Sequence, residues 1–324
     1  MIYKKRKIPT RLQALLALDR RLPLNHPLKR QIAQQIYDRQ AGFAGELEYD
    51  KYLKEFRPSY PHAILHDVTL RQDGIYFQID SVLITPNEVI LSEIKNIAGR
   101  VIVKPNPLQF IKESPTGERA AMRNPVTELE RKTQLLTKWM RERRIDMPIR
   151  CLVVFAYENE LVIDAKSPVD ILFTYDVPIY LRQLDVQQHI SSRQLHTIAR
   201  AMKQSDCSFI TTPLAQTYKL DPAEIKPGIQ CQHCDHTGMR WNKGTWHCPK
   251  CQHLTREGHV EAITDWFLLM DNKLTNQQFC NFIGAPNRHI ARRLLMSSGL
   301  QLVGIRKSAH YVRKQEQEGE AGGV

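Results

Sequence analysis

The chain has 324 residues, 42% of them hydrophobic and 25% charged, with a formal net charge of +12. That length and composition suit two or three globular domains and exclude a disordered or fibrous chain. No apolar run approaches the roughly 20 residues needed to span a bilayer, and the N-terminal Met-Ile-Tyr-Lys-Lys-Arg-Lys lacks the apolar core of a secretion signal, so a cytoplasmic location without membrane contact is expected.

Residues 1–40 read as a basic helical N-terminal extension, with Leu12, Leu15, Leu16 and Leu18 giving partial helical periodicity and ten Lys/Arg against Asp19 and Asp38. Residues 287–314 hold seven Lys/Arg and no acid. Charge gathered at two ends points to a polyanionic partner, a nucleic acid and DNA before RNA; solubility alone is the plainer alternative. A helix over about 44–56 carries Glu46 near its start, where an acid also suits the helix dipole.

Two apolar runs follow, residues 74–84 and 88–95, separated by the turn signature Thr85-Pro86-Asn87-Glu88. Pro86 cannot take positive φ, so a four-residue loop pairing Ile84 with Val89 is expected. Counting back sets Asp80 opposite Glu93 and Gln78 opposite Lys95, with Glu93 and Lys95 on one strand face. Two opposed carboxylates repel, and a divalent cation between them beside a lysine relieves that. Asp80 and Glu93 suit Mg²⁺ (or Mn²⁺), with Lys95 orienting a water or neutralising a phosphate. The alternative is an ion cluster on a solvated sheet face, with Lys95 as a cross-strand partner.

Gly42-Phe-Ala-Gly45-Glu46, Gln78-Ile-Asp80-Ser-Val82, Ser92-Glu93-Ile-Lys95-Asn96 and Asn124-Pro125 resemble, in that order, the nuclease-related domain (NERD) family of the PD-(D/E)xK nucleases, over about residues 40 to 157. The resemblance implies metal ligation by Asp80 and Glu93, a catalytic role for Lys95, and Glu46 as a further acid. Glu128 stands where the family has Gln, so a role of that glutamine is not carried over.

Arg100 to Lys104 is expected to continue the same sheet, and residues 106–123 to form a polar loop able to move over the site. A long helix from Pro125 to Arg144, a buried strand Ile149 to Phe155, a strand Ile171 to Tyr175 and helix over about 178–204 complete an α/β core with a mixed sheet. A Pro-rich linker is placed at 206–228.

Cys231-Gln-His-Cys234 and Cys248-Pro-Lys-Cys251 form two C-x₂-C knuckles thirteen residues apart, spacing that lets four thiolates close on a structural Zn²⁺. Doubling of the motif argues against a redox pair, and a cytosolic chain against disulfides. His233, His236, His247 or His253 replacing a cysteine remains open. Beyond this zinc ribbon (229–256), residues 257–314 resemble a winged helix-turn-helix: Arg288, His289, Arg292 and Arg293 would enter a major groove, and Arg306 and Lys307 would contact phosphate. A small helical domain for protein contacts is the alternative. Residues 315–324 read as a disordered tail. The expected domain order is therefore 1–40, 41–205, 206–228, 229–256, 257–314 and 315–324. The function read from it is metal-dependent hydrolysis of DNA phosphodiesters, docked by the ribbon and winged helix. A non-cleaving DNA-binding or regulatory protein on an inactive nuclease fold, or an RNA-processing nuclease, are the alternatives.

Overall fold

The computed structural model describes residues 1–104, 108–163, 167–187, 189–207 and 212–314. In chain order the elements are β1 (Ile2–Lys4), α1 (Thr10–Arg21), α2 (Lys29–Leu53), β2 (Ala63–Gln72), β3 (Ile75–Ile84), β4 (Val89–Lys95), β5 (Arg100–Lys104), β6 (Gln109–Glu113) and β7 (Arg119–Met122). Then come α3 (Pro125–Glu142), β8 (Ile149–Phe155), β9 (Leu161–Ile163), β10 (Asp170–Phe173), α4 (Val177–Gln183), α5 (Ser192–Gln204) and α6 (Leu214–Tyr218). The remainder is β11 (Arg240–Asn242), β12 (Thr245–His247), β13 (Leu254–Thr255), α7 (Gly258–Leu269), α8 (Asn276–Ile283), α9 (Arg288–Ser297), β14 (Gln301–Val303) and β15 (His310–Val312). Two compact units result: Met1–Lys7 with Gln40–Phe209, and Ile8–Arg39 with Ile210–Val324. The stretch expected as one N-terminal extension is thus divided between them, and the boundary falls inside α2.

The first unit is built on a mixed six-stranded sheet in the order β1-β2-β3-β4-β8-β10. The β2–β3–β4 meander is antiparallel, while β8 lies parallel to β4 after the α3 crossover. In β4 the consecutive residues Val89, Ile90 and Leu91 are all buried, which requires cover on both faces. Leu129, Leu136 and Trp139 of α3 and Leu195 and Met202 of α5 cover one face. Tyr49 and Leu53 of α2 with Val177 and Leu181 of α4 cover the other.

Two expectations are corrected here. β5 does not extend the main sheet; it belongs to a separate four-stranded sheet, β7-β6-β5-β9. Residues 109–122 of the expected loop are the β6–β7 hairpin of that sheet, while Asn106 lies outside the described residues. The stretch looks loop-like because Arg119, Ala120 and Ala121 of β7 are exposed and, in β6, only Phe110 is fully packed, so neither strand shows a buried apolar run.

The second unit has one core, joining Leu15 and Leu18 of α1 to Trp246 of the small β11–β13 sheet and to Trp266, Phe279 and Leu295 of α7 to α9. Within the expected linker, Leu214 and Ile225 are buried in that core. The tail 315–324 lies outside the described residues. Among those described, no helix is long and apolar enough to cross a membrane.

The basic N-terminal residues also read differently in three dimensions. Lys4, Arg6, Arg20, Arg21 and Lys29 are all ion-paired within the chain, so about half of that charge is spent internally. Arg21 is the extreme case: Nε donates to buried Asp265 at 2.7 Å, Nη1 donates to the carbonyls of Lys226 and Gly228, and the guanidinium lies over the Phe282 ring. Arg21→Ala strands a buried carboxylate that only the half-exposed Arg20 still reaches, so it should lose roughly 3 kcal/mol in urea unfolding; a loss under 1 kcal/mol would contradict this account.

Candidate active site

The β3–β4 hairpin pairs Ile84 with Val89 and Ser81 with Ser92, the expected register. The ladder stops there, one step before Asp80 and Glu93. Beyond it, Asp80 Oδ2 accepts the Ile94 N–H at 2.8 Å, so a carboxylate takes the place of a strand partner. The other edge of β4 stays paired to β8 as far as Lys95 and Phe155, which keeps Glu93 and Lys95 on a rigid strand. Gln78 does not face Lys95, as the extended register required; its side chain donates to Asp67 of β2. Asp67 holds a left-handed φ of 55°, uncommon for a residue with a side chain, at the point where β2 passes Asp80.

Glu93 is only 4% exposed, which overturns the solvated-face alternative. Lys95 Nζ donates to Glu93 Oε1 at 2.8 Å and to Glu128 Oε2 at 2.9 Å, and Lys132 Nζ donates to the second Glu93 oxygen. Helix α3 delivers those last two groups. Asn124 caps it by accepting the Val126 N–H at 2.9 Å, Pro125 opens it, and Glu128 and Lys132 fall one turn apart on the face toward the sheet. Glu128 therefore acts as the anionic anchor of Lys95. Lys132 was not singled out in the sequence; its i+4 spacing from Glu128 was the available signal.

Electrostatics follow from burial. Loss of water and the neighbouring Asp80 push the Glu93 carboxyl above its ordinary range, against the pull of Lys132 and Lys95. Burial opposes the charge of Lys95, but Glu93 and Glu128 outweigh it and its pKa is raised. Burial would likewise raise Glu128, yet its bond to Lys95 leaves it lowered.

Glu46 reaches the same place from α2. Its Oε2 accepts Arg6 Nη1 at 2.7 Å, and burial, abetted by Asp80 and Asp67 and resisted by Arg6, lifts its pKa to about 7. The helix comes this close because residue 45 is glycine: a Cβ there would meet Asn96 Cβ at 2.7 Å and Ala156 Cβ at 2.9 Å. Asn96 Nδ2 also donates to the Ala41 carbonyl at 2.6 Å. Asp50, one turn after Glu46, accepts from Arg6 at 2.9 and 3.0 Å and lies 3.1 Å from His66 Nδ1. Arg6, Asp50 and His66 were not legible as site residues.

Asp80 and Glu93 offer hard oxygen donors, and the upward push that Asp80 gives Glu93 and Glu46 is an imbalance a divalent cation would relieve. Two carboxylates suffice for Mg²⁺, which keeps most of its shell for water and phosphate. A different donor set lies in the second unit. Cys231 and Cys251 sulfurs are 3.6 Å apart, as are those of Cys234 and Cys248, and all four lie within 4.8 Å of one another. Edges of a tetrahedron with ~2.3 Å metal–sulfur bonds are about 3.8 Å, whereas a disulfide needs about 2.05 Å, so the quartet can hold a metal ion and is not cross-linked. His233 and His253 stack on each other outside it. Among the described residues, the cysteines are the one group of three or more such ligands gathered this tightly.

Asn287 caps α9 by accepting the His289 and Ile290 N–H groups, and Ala291, Leu294 and Leu295 face the core. Arg288, His289, Arg292 and Arg293 are exposed on the opposite face. Arg306 is exposed in the β14–β15 turn; the side chain of Lys307 lies outside those described.

Residues 41–156, about a third of the chain, match the family model described as the nuclease-related domain. That segment contains Glu46, Asp80, Glu93, Lys95, Glu128 and Lys132. No curated protein and no solved structure matches the chain.

The polar shell around the site predicts a pH dependence. Burial first, with Arg6 and Lys4 assisting and Asp50 opposing, holds the His66 pKa down at about 4. Between pH 6.5 and 4 the unfolded chain takes up a proton that the folded chain does not, so this group lowers stability as pH falls through that window, by about 3 kcal/mol in full. Glu46 acts in the opposite sense, lowering stability as pH rises from 4.5 to about 7. Replacing His66 by Gln isolates the first effect. Relative to the parent chain the variant should gain on the order of 2 kcal/mol on going from pH 7 to 4.5 in urea unfolding; a pH-independent difference would refute the buried neutral imidazole.

Proposed function

We propose that the first unit is a divalent-metal-dependent nuclease that hydrolyses phosphodiester bonds in nucleic acid, DNA in the first instance. One observation carries the reading: a fully buried Glu93 beside Asp80 at the end of a paired strand, with the Lys95 ammonium fixed 2.8 Å away. Asp80 and Glu93 would hold Mg²⁺ or Mn²⁺. Such an ion, when bound, supplies Lewis acidity at a phosphoryl oxygen. Lys95, kept charged by Glu93 and Glu128, orients the attacking water or offsets charge accumulating on the phosphate. Glu46, protonated or not near neutral pH, is suited to carry a proton at the edge of the site.

In the second unit, a Zn²⁺ on Cys231, Cys234, Cys248 and Cys251 would be structural, since four thiolates leave no open position. The helices α7 to α9 with the β14–β15 hairpin fit a winged helix. Its exposed Arg288, His289, Arg292 and Arg293 would read DNA, with Arg306 and Lys307 on phosphate. A non-cleaving nucleic-acid-binding protein is favoured by one observation only, that Lys95 is already satisfied by two carboxylates.

Purified protein should cut linear, circular or single-stranded substrates with Mg²⁺ or Mn²⁺ and not with EDTA. Asp80→Asn and Lys95→Met should each lose roughly 10²–10³-fold in kcat. Salt-sensitive binding with no metal-dependent turnover in the parent chain would sink the nuclease reading. Independently, the chain as purified should carry one zinc by elemental analysis, and Cys248→Ser should lose it and melt earlier; full zinc content in that variant would remove the cysteine assignment.

A further inference from the structure

We infer that Arg6, outside the matched domain, is a positioning residue that holds the Glu46 turn of α2 against the Asp80 main chain and so sets Asp80 for metal binding; this rests on the nuclease reading of the site. Strand β1 pairs with β2 in parallel, Ile2 beside Ile64 and Lys4 beside Leu65, and so carries residues 1–7 onto the sheet edge. The Arg6 side chain then turns inward and is 2% exposed. Its Nε donates to Asp50 Oδ2 at 2.9 Å, and Nη2 donates to Asp50 Oδ1 at 3.0 Å, a two-pronged pair. Nη1 donates to Glu46 Oε2 at 2.7 Å, and Nη2 also donates to the main-chain carbonyl of Asp80 at 2.9 Å.

Those contacts tie the acidic turn of α2 to the main chain of β3 through one side chain. Glu46 and Asp50 sit one turn apart on α2 and repel each other unless a cation lies between them. The Asp80 peptide lies where β3 has left its ladder with β4, so its carbonyl takes its hydrogen bond from this guanidinium. A planar fork with donors at fixed angles fixes direction as well as charge, which a lysine ammonium does not. Arg6 thereby holds one helical turn against the strand residue whose own side chain would bind metal. Partners of this kind, one bond behind the ligands, typically alter metal affinity or activity by about 10–100-fold when changed. A buried ion pair with a purely structural role would alter stability alone.

Arg6→Lys separates the two, because it keeps the charge and removes the fork. In the full-length, zinc-loaded chain, Mn²⁺ binding read by electron paramagnetic resonance should weaken about 10-fold or more in this variant, with kcat falling and KM for DNA little changed. The parent chain and Asp80→Asn are measured alongside. Mn²⁺ binding that is absent from the parent, or indifferent to Asp80→Asn, defeats the nuclease reading itself. Binding that depends on Asp80 but is equal in parent and Arg6→Lys defeats the role of Arg6 alone. Should Arg6→Lys fail to fold, Asp50→Asn, which leaves Arg6 in place and removes one prong of the pair, should show the same loss in milder form; unaltered Mn²⁺ affinity there overturns the inference.

Discussion

A carboxylate removed from water must find positive charge, and Glu93 finds it in two ammonium groups from different elements. Lys95 comes from its own strand, two residues on, and Lys132 from α3. Stranding such a group would cost several kcal/mol, so the pairing dictates how α3 lies on the sheet at this end. Glu128 extends the same logic, holding Lys95 from the far side. The arrangement is also where chemistry can begin, since a site that concentrates acids around a buried point is one that a divalent cation stabilises.

The opposite flank obeys the same rule with the signs exchanged. Glu46, Asp50, Asp67 and Asp80 gather near Arg6, and the guanidinium spends four hydrogen bonds on three of them. Gly45 permits the approach of α2 by having no Cβ to collide with Asn96 and Ala156. Glycine is needed there for room, not for conformational freedom.

Charge is disposed differently in the second unit. Arg21 is folded into the core on Asp265, while the arginines of α9 stay on the surface. A count of basic residues along the chain treats both alike. Only the exposed set is available to a polyanion, which moves the case for a nucleic-acid contact toward α9.

The register of the β3–β4 hairpin was legible because it depends on a turn and on strand alternation, both local. The same holds for the cysteine spacing, for the Asn124-Pro125 helix start and for the amphipathic α9. Strand β1, the hairpin β6–β7 and the separate sheet that it joins were not legible: the strands are short or half exposed, and the partners of β1 and of β5 at β9 lie about 60 residues away. Asp80 opposite Glu93 followed from counting, but the parting of the strands there, closed by the Asp80 carboxylate, did not. The amino-acid sequence by itself determined which acids and which lysine share a strand face, since that is fixed by a period of two. Tertiary structure alone decided that Arg6, Asp50 and His66 lie around them and that Lys132 reaches Glu93, because burying like charges together selects compensating partners by distance in space and not by separation along the chain.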